Sequence, residues 1–253
     1  MKIFLNLIFI LFLTSELAAR EKGETEISTE DGIEVYQNEK YYLLKKNVKI
    51  ESDNFTLNAD KVKVYFNENL YDIIEINAEG NARFKSDEFK MRGNGEFLNI
   101  KIKIEEIQVK GEGSELVTDN INMYSNGSIR VSNSTGNFFL KGLNSKLKNE
   151  SIIIKAEDIE GNFDIGSNPK QINTLYVSDK KRSYIETNNS KMYAKKINFN
   201  KSTSIIELIE NVKIDRNGQI ITGDYGTLDT ENNSYKIKSK NQTKVKAIIK
   251  NDE

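Results

Sequence analysis

Two pairs of adjacent acidic residues are the side chains in this sequence with the most obvious catalytic potential. They are Glu105-Glu106 and Glu157-Asp158. Two carboxylates on one substrate can act as acid and base, as in a glycan hydrolase. Neighbouring residues on a β-strand point to opposite faces, so neither pair can converge on one substrate from a strand. The pattern favours solvated strand faces or turns at both places.

Two other motifs suggest ion binding. Asp215-Arg216-Asn217-Gly218 is similar to the start of a calcium loop, but the later ligands and the closing glutamate are missing. The dipeptide Asn217-Gly218 predicts a tight hairpin turn instead. The basic clusters at 45–46 and 180–182 could meet phosphate groups, and solvated turns explain them equally well. We therefore predict no metal and no cofactor.

Composition narrows the function classes further. The 253 residues include no cysteine and no histidine, which removes thiolate chemistry, disulfides, and the usual general base and metal ligand. A net charge of −1 gives no electrostatic reason to expect nucleic acid as a partner. The length suits one large all-β domain or two small ones. We expect a protein that is not an enzyme.

Residues 1–19 have the pattern of a secretory signal peptide. Lys2 supplies the positive start, Ile3–Leu13 is an apolar run, and Leu17-Ala18-Ala19 offers a cleavage site before Arg20. The alternative is an uncleaved anchor, but the apolar run is short of the ~20 residues that span a bilayer. We predict export and cleavage.

Apolar and polar residues alternate with a period of two throughout the rest of the chain. In the stretch 210–238, Val212 and Ile214 lie on one face of a predicted strand, and Lys213 and Asp215 lie on the other. No long run has helical spacing. The turns are rich in Asn, Asp, Ser and Gly, and a hairpin is predicted across 125–127.

One strand–turn–strand phrase recurs along the chain. Residues 211–214 are identical to Asn47-Val48-Lys49-Ile50, and Ala59-Asp60 corresponds to Gly223-Asp224. A further copy occupies 79–97. Repeated units of this kind stack on one another and bury a shared face.

The repeats predict an all-β fold of antiparallel strands: a sandwich, a barrel or a sheet wound on itself. We expect an irregular, disordered lead-in at 20–31, the β domain at 32–247 and a frayed tail at 248–253. The apolar faces either form an ordinary closed core or leave an apolar groove. Such a groove would suit acyl chains, which need nonpolar surface and little polar specificity.

The exported start and the repeated phrase resemble the OstA-like (LptA-like) family of lipopolysaccharide transport proteins. The family's phrase is a Gly/Glu-Asn-Val opening, an alternating strand, a turn, and a Gly/Ala-Asp pair. The resemblance covers 33–97 and 190–238 and is poor over 98–189. In the copy at 79–97, Gly93-Asn94 is aligned with the Gly/Ala-Asp pair, so that an asparagine replaces the aspartate.

The resemblance implies an open, twisted β-jelly roll in the periplasm with no catalytic residue. Lipid A acyl chains would lie inside and the headgroup outside. Modules would associate head to tail between an LptC-like partner and an LptD-like partner. The implied lipid-facing residues, assigned by face alone, are Val48, Ile50, Phe55, Leu57, Val62, Val64, Phe84, Phe89, Met91, Val212 and Ile214.

Three alternatives to a lipid-carrying bridge component remain open at this point. The chain could be a soluble relative of LptC or a detached N-terminal module of LptD. It could also be a structural or adhesive β-repeat protein of the cell envelope with a closed core.

Overall fold

The computed structural model describes residues 21–118, 120–232, 234–240 and 244–249. This part of the chain contains strands and turns only, so none of its segments is a helix that could cross a bilayer. The predicted signal peptide and residues 250–253 of the predicted tail lie outside the described residues.

Eighteen strands form one continuous antiparallel sheet, which confirms the all-β prediction. The strands of the first half are β1 (Glu26–Ser28), β2 (Ile33–Tyr36), β3 (Tyr41–Ser52), β4 (Phe55–Phe66), β5 (Ile73–Ser86), β6 (Met91–Lys101), β7 (Glu106–Lys110), β8 (Ser114–Val117) and β9 (Asn122–Ser125). Those of the second half are β10 (Ser128–Ser132), β11 (Asn137–Lys148), β12 (Ile152–Asp164), β13 (Gln171–Thr187), β14 (Lys191–Asn200), β15 (Ile205–Arg216), β16 (Gln219–Asp229), β17 (Ser234–Lys238) and β18 (Lys246–Ile248).

The long strands bend once, near the middle. The register shifts between Lys45 and Val48 in the pairing of β3 with β4, and between Asn58 and Lys61 in the pairing of β4 with β5. Comparable shifts interrupt the pairings of β11 to β16. Since each half of a bent strand pairs with the matching half of its neighbour, one long sheet folds into two facing sheets.

The strands follow one another in both sheets almost in sequence order. The first sheet contains β2, halves of β3 to β6, then β7, β10, halves of β11 to β16, and β17. The second sheet contains β1, the other halves of β3 to β6, then β8, β9, the other halves of β11 to β16, and β18.

The two long margins of this folded sheet differ. Along one margin, here called the corner edge, the chain passes directly from one sheet to the other through the bends. Along the opposite margin, here called the open edge, hairpin turns such as Asp53-Asn54 and Asn217-Gly218 reverse the chain within one sheet. The sheets are therefore covalently joined on one side only, as the predicted open architecture requires.

The segment at 125–127 is a corner and not the predicted hairpin. β9 pairs with β8 and β11 in the second sheet, whereas β10 pairs with β7 and β11 in the first sheet. The prediction of alternating apolar residues on both sides of this break is correct. It does not reveal whether a Gly-containing break reverses the chain or redirects it to the other sheet.

The buried side chains of the two sheets form a single apolar cluster that runs along the whole molecule. Near its middle, the rings of Phe138 and Phe163 stack with centroids 4.3 Å apart, and both side chains are almost fully buried. Gly161 lies opposite Phe138 in the sheet, and a Cβ there would come within 2.6 Å of the Phe138 ring. This glycine makes room for the aromatic pair.

Both predicted ends of the domain require correction. The expected irregular lead-in contains β1, which pairs with β3 while Ile27 packs against the core. At the other end, β18 pairs with β16 and occupies part of the expected tail. These short strands are stabilised by pairing with a sheet edge that is remote in sequence, which local pattern does not disclose.

Candidate functional site

The repeated sequence phrase builds the corners. In Lys46-Asn47, Gly80-Asn81 and Glu210-Asn211, both residues have positive φ, and the following residue, Val48, Ala82 or Val212, is buried. Asparagine tolerates this left-handed conformation better than most residues. Two such residues in succession turn the strand from one sheet into the other.

The residue opposite each of these buried side chains is small. Val48 pairs with Ala59, Ala82 with Gly95, and Val212 with Gly223. At Gly95 a Cβ would come within 2.6 Å of Val109 Cγ1 and 2.8 Å of the Lys110 carbonyl oxygen. The Gly/Ala of the phrase is therefore needed because a neighbouring strand approaches closely at the corner.

This pairing corrects the alignment of the second copy. The glycine opposite Ala82 is Gly95 and not Gly93, and Glu96 follows it. The alignment of Gly93 with the glycine of the phrase is wrong because the turn between β5 and β6 has four residues, whereas the turn between β3 and β4 has two. With the register set by the structure, the copy keeps an acidic residue after its glycine.

Bends with a small buried residue facing a small residue also occur in the region where the sequence resemblance is poor. Ser145 pairs with Ala156 and Ser183 with Ala194, and both serines are fully buried. Ser145 Oγ donates a hydrogen bond to the Gly142 carbonyl (2.8 Å) and lies 2.9 Å from Ser125 Oγ. A hydroxyl bonded to the corner backbone takes the place of an apolar side chain, so apolar alternation could not reveal these copies.

Polar side chains on the outside tie adjacent corners together. Asn81 Nδ2 donates to Asp60 Oδ2 at 3.0 Å, so the asparagine and the aspartate of the phrase meet across two strands. Arg182 donates to the Asn211 carbonyl oxygen at 2.8 Å. Lys195 pairs with Glu210 at 3.1 Å. The repeated polar residues of the phrase therefore stabilise the corner edge and do not line the interior.

The predicted lipid-facing residues point between the two sheets, with one exception. Phe55 is half-buried at the open edge, Phe89 is 39% exposed, and the others are at most 5% exposed. Phe89 lies in the turn between β5 and β6 and is a wrong assignment, because the longer turn removes it from the strand. The fully inward residues contact one another, so the interior is packed in this structure.

The interior opens toward solvent along the open edge of the second half. A cavity of about 560 Å³ lies there between the sheets, between the turns around Asn149–Ser151 and Pro169–Gln171. Its apolar wall, which sequence reasoning did not single out, consists of Ile152, Ile172, Leu175, Ile185, Phe199 and Ile206. Ile152, Ile172 and Phe199 are half-buried, whereas Leu175 and Ile185 belong to the core. The cavity thus leads from the rim to the buried cluster.

A second opening lies at the N-terminal end of the sandwich. It has a volume of about 920 Å³ and is lined by Ile27, Val35, Tyr42 and Ile73, with acidic residues around Glu26. Among the described residues, no further strand covers the apolar side chains at this end, and Val35 is 48% exposed.

The acidic pairs and the calcium-like motif take the structural roles that the sequence favoured. Glu106 pairs with Lys101 and Glu157 with Lys180, both at 3.5 Å, so the two pairs do not converge. Asn217-Gly218 forms the hairpin turn between β15 and β16. Within the described ranges, no three acidic side chains are grouped so that they could hold a metal ion.

The perturbed titrations likewise belong to surface contacts. The Lys45 ammonium, 2.6 Å from Glu34, lowers the pKa of that carboxyl group below its ordinary value. Burial raises the pKa of Tyr184, and its hydrogen bond to Glu186 (2.6 Å) raises it further. Neither group lies between the sheets, where the described side chains are overwhelmingly apolar.

Comparison with known proteins bears on the first half of the chain. Residues 29–137 match the family model described as LptA/(LptD N-terminal domain) LPS transport protein. The predicted resemblance to LptA-like lipopolysaccharide transport proteins is confirmed over these residues. A comparison with curated protein sequences found no match.

Among solved structures, the chain is similar to LptH, the LptA-homologous periplasmic component of the lipopolysaccharide transport device of Pseudomonas aeruginosa. The identity is 14% and the TM-score 0.43, and the match covers 52% of this chain and 95% of that one.

Proposed function

We propose that this protein is a periplasmic lipopolysaccharide transport protein that holds the acyl chains of lipid A between its two sheets. The observation that carries the proposal is an apolar interior that runs through the molecule and is covalently closed along the corner edge only. The match of residues 29–137 to a lipopolysaccharide transport family supports the same function. The matched family is described by transport and not by a reaction.

Acyl chains would enter by separating the sheets at the open edge. The corners act as the hinge, because they join the sheets through backbone, whereas the hairpins of the open edge join strands of the same sheet. Each methylene removed from water contributes about 0.8 kcal/mol, so several acyl chains offset the loss of contacts between the sheets. Affinity then needs no precisely placed polar group inside.

The headgroup would remain outside, next to the polar turns of the open edge. The rim of the 560 Å³ cavity carries Lys170 and several amide side chains, among them Asn120, Asn149 and Asn188. Amides and an ammonium group can hydrogen-bond to sugar hydroxyls and phosphates. The rim therefore suits a phosphorylated saccharide whose lipid lies between the sheets.

The two ends of the sandwich would bind the neighbouring components of the bridge. β1 and β2 form the N-terminal edges of the two sheets, and β17 and β18 form the C-terminal edges. Edge strands present unpaired backbone groups to which another chain can add. We propose an LptC-like protein, an LptD-like protein and further copies of this chain as the partners at these edges.

Site-specific photocrosslinking tests the lipid-binding proposal. A photoreactive amino acid replaces Phe199 or Ile172, which face the cavity, and in matched controls replaces the adjacent residues Asn198 or Asn173. We expect lipopolysaccharide adducts at the first two positions, since adjacent strand residues face opposite sides. Native mass spectrometry of the unmodified chain should show a matching mass increment.

A closed-core structural β-repeat protein is the second candidate, and the dense packing of the interior favours it. Leu57, Val62 and Leu208 are completely buried in this structure. This candidate predicts a chain that folds stably and takes up no lipid. Equal crosslinking at Phe199 and Asn198, or no mass increment under conditions in which a known lipopolysaccharide carrier takes up lipid, would refute the transport proposal.

A further inference from the structure

Lysines and tyrosines form one cross-strand row on the solvent face of the second sheet. Cross-strand pairing places Tyr124 beside Lys146, Lys146 beside Lys155, Lys155 beside Tyr184, Tyr184 beside Tyr193, and Tyr193 beside Lys213. With a strand spacing of about 4.8 Å, the row spans roughly 24 Å. We call these six residues the Lys/Tyr row. It points away from the interior.

Within the described part of the chain, no ion pair neutralises the ammonium groups of the row. Among the residues that the structure describes, Lys146, Lys155 and Lys213 form no ion pair, whereas Lys49 in the first half pairs with Glu51 at 2.5 Å. Lys155 Nζ lies 5.6 Å from the centroid of Tyr184, and Lys213 Nζ lies 5.3 Å from that of Tyr193. These contacts keep the cations beside the rings and leave their charge available to a ligand.

The aromatic rings are held in defined positions. Tyr184 donates a hydrogen bond to Glu186 at 2.6 Å, and Tyr124 donates one to Asn126 at 2.8 Å. The rings of Tyr184 and Tyr193 are 5.0 Å apart and tilted by 48°. A ligand that stacks on them therefore need not immobilise the side chains first.

Part of the row lines a depression of about 850 Å³ beside the corner edge. Tyr124, Lys146, Lys155 and Tyr184 contribute to its floor, and Arg182 stands at its rim. Two carboxylates also line it. Asp179 accepts hydrogen bonds from the backbone N–H groups of Lys181 and Arg182, at 2.7 and 2.9 Å, and Glu115 lies on β8, beside Tyr124 at the far end.

We propose that the Lys/Tyr row and Arg182 form a binding site for an acidic saccharide. Sugar rings present flat C–H faces that pack on the electron-rich faces of tyrosines, and ammonium and guanidinium groups bind carboxylates or phosphates on the same sugars. A row in which tyrosines and lysines are interspersed over roughly 24 Å fits a chain of acidic sugars better than a single anion. The saccharide could be part of a lipopolysaccharide or a free acidic polysaccharide.

The site is separate from the proposed lipid-binding interior, since alternate residues of the same strands serve the two. Leu147, Ile154 and Ile185 are buried between the sheets, next in sequence to Lys146, Lys155 and Tyr184. Beyond Tyr124 the cross-strand row continues into the first half through Glu115, Asn94, Arg83, Asn58 and Lys49, and this part has no aromatic residue. The proposed site therefore belongs to the second half.

Binding of saccharides without acyl chains tests the site. Titration calorimetry at low salt would use oligogalacturonate, an uncharged dextran of equal length, inorganic polyphosphate, and lipopolysaccharide freed of its acyl chains. We expect saturable binding of oligogalacturonate and none of dextran. The double variant Lys146→Gln with Lys155→Gln should bind oligogalacturonate about ten-fold more weakly, as expected for the loss of two exposed charge contacts. Tyr184→Leu should weaken it several-fold and Tyr184→Phe should not.

The matched control is Lys49→Gln with Lys85→Gln, which removes the same charge from the same sheet face in the first half. It should leave the affinity within about two-fold of the unmodified chain. Thermal unfolding verifies that each variant is folded. Failure to bind oligogalacturonate, or unchanged affinity in the Lys146/Lys155 variant, overturns the proposal.

Two comparisons distinguish saccharide recognition from plain anion binding and identify the source of the saccharide. Polyphosphate that binds as tightly as oligogalacturonate, with no effect of Tyr184→Leu, would indicate a plain anion site and refute saccharide recognition. Deacylated lipopolysaccharide that competes with oligogalacturonate would identify the headgroup as the source. If it does not compete, a free acidic polysaccharide is the ligand. None of these outcomes depends on acyl-chain binding inside.

Discussion

At the scale of single residues, the interior is built from side chains that complement one another in size. The stacked pair of Phe138 and Phe163 fills the middle of the molecule, and Gly161 provides the space for it. Such close complementarity makes the fold sensitive to truncation at this point.

We therefore expect Phe138→Ala to lower the free energy of unfolding by about 3–5 kcal/mol, because it removes a buried ring and leaves a cavity. Urea unfolding followed by circular dichroism measures the change. Leu143→Ala, at a corner position that is 66% exposed, is the control and should change stability by less than about 0.5 kcal/mol. A small loss in the Phe138 variant would mean that the Phe138 ring is not buried in solution.

At the scale of elements, the corner is the unit that repeats. It combines two left-handed residues, a small buried residue and a small residue on the neighbouring strand. The chain uses it as Asn-Val at 47–48 and 211–212 and as Asn-Ala at 81–82, whereas before Ser145 only Asn144 of the two preceding residues has positive φ. The first three corners share this backbone conformation, whereas the side chains that they place between the sheets vary.

The left-handed conformation of Asn211, with φ of 55°, gives a direct test. Asn211→Val should lower the free energy of unfolding by about 1–2 kcal/mol, because a β-branched residue is strained at positive φ. Asn211→Gly should remain within about 0.5 kcal/mol, since glycine adopts this conformation freely. Chemical unfolding of both variants provides the measurement. Equal stability of the two would show that the corner is not left-handed at this residue.

At the scale of the whole molecule, one sandwich continues well beyond the residues that match the family model. The match ends at 137, while the bent strands continue through β16. The ends of this long sandwich carry opposite charges. Glu21, Glu24 and Glu26 lie near the N-terminal opening, and Lys236, Lys238 and Lys246 lie on the strands of the C-terminal edges.

Opposite charges at the two ends should favour head-to-tail association of copies of this chain. We expect sedimentation velocity to show oligomers that grow with protein concentration and weaken above about 0.15 M salt, where charges are screened beyond ~8 Å. Lys236→Glu with Lys238→Glu should shift the equilibrium toward monomer. Lys141→Glu with Lys196→Glu, on the face of the first sheet, is the control. Equal association of the two double variants would contradict assembly through these edges.

The sequence by itself determined the strand content, the inward face and the repeated phrase. Alternation with a period of two is a local property of the chain, so Val48, Ile50, Leu57 and Val212 could be assigned to the interior without coordinates. Asn217-Gly218 likewise specified its hairpin, because only residues that tolerate positive φ fit a two-residue turn.

Only the tertiary structure decided which breaks are turns and which are corners. A four-residue turn displaced Phe89 from the interior and moved the second glycine of the repeat to Gly95. Buried serines at 145 and 183 concealed two corners, since a hydroxyl satisfied by nearby backbone looks polar in the sequence. The Lys/Tyr row also required the register of six strands. These features depend on pairing between residues distant in sequence, and local alternation carries no information about that pairing.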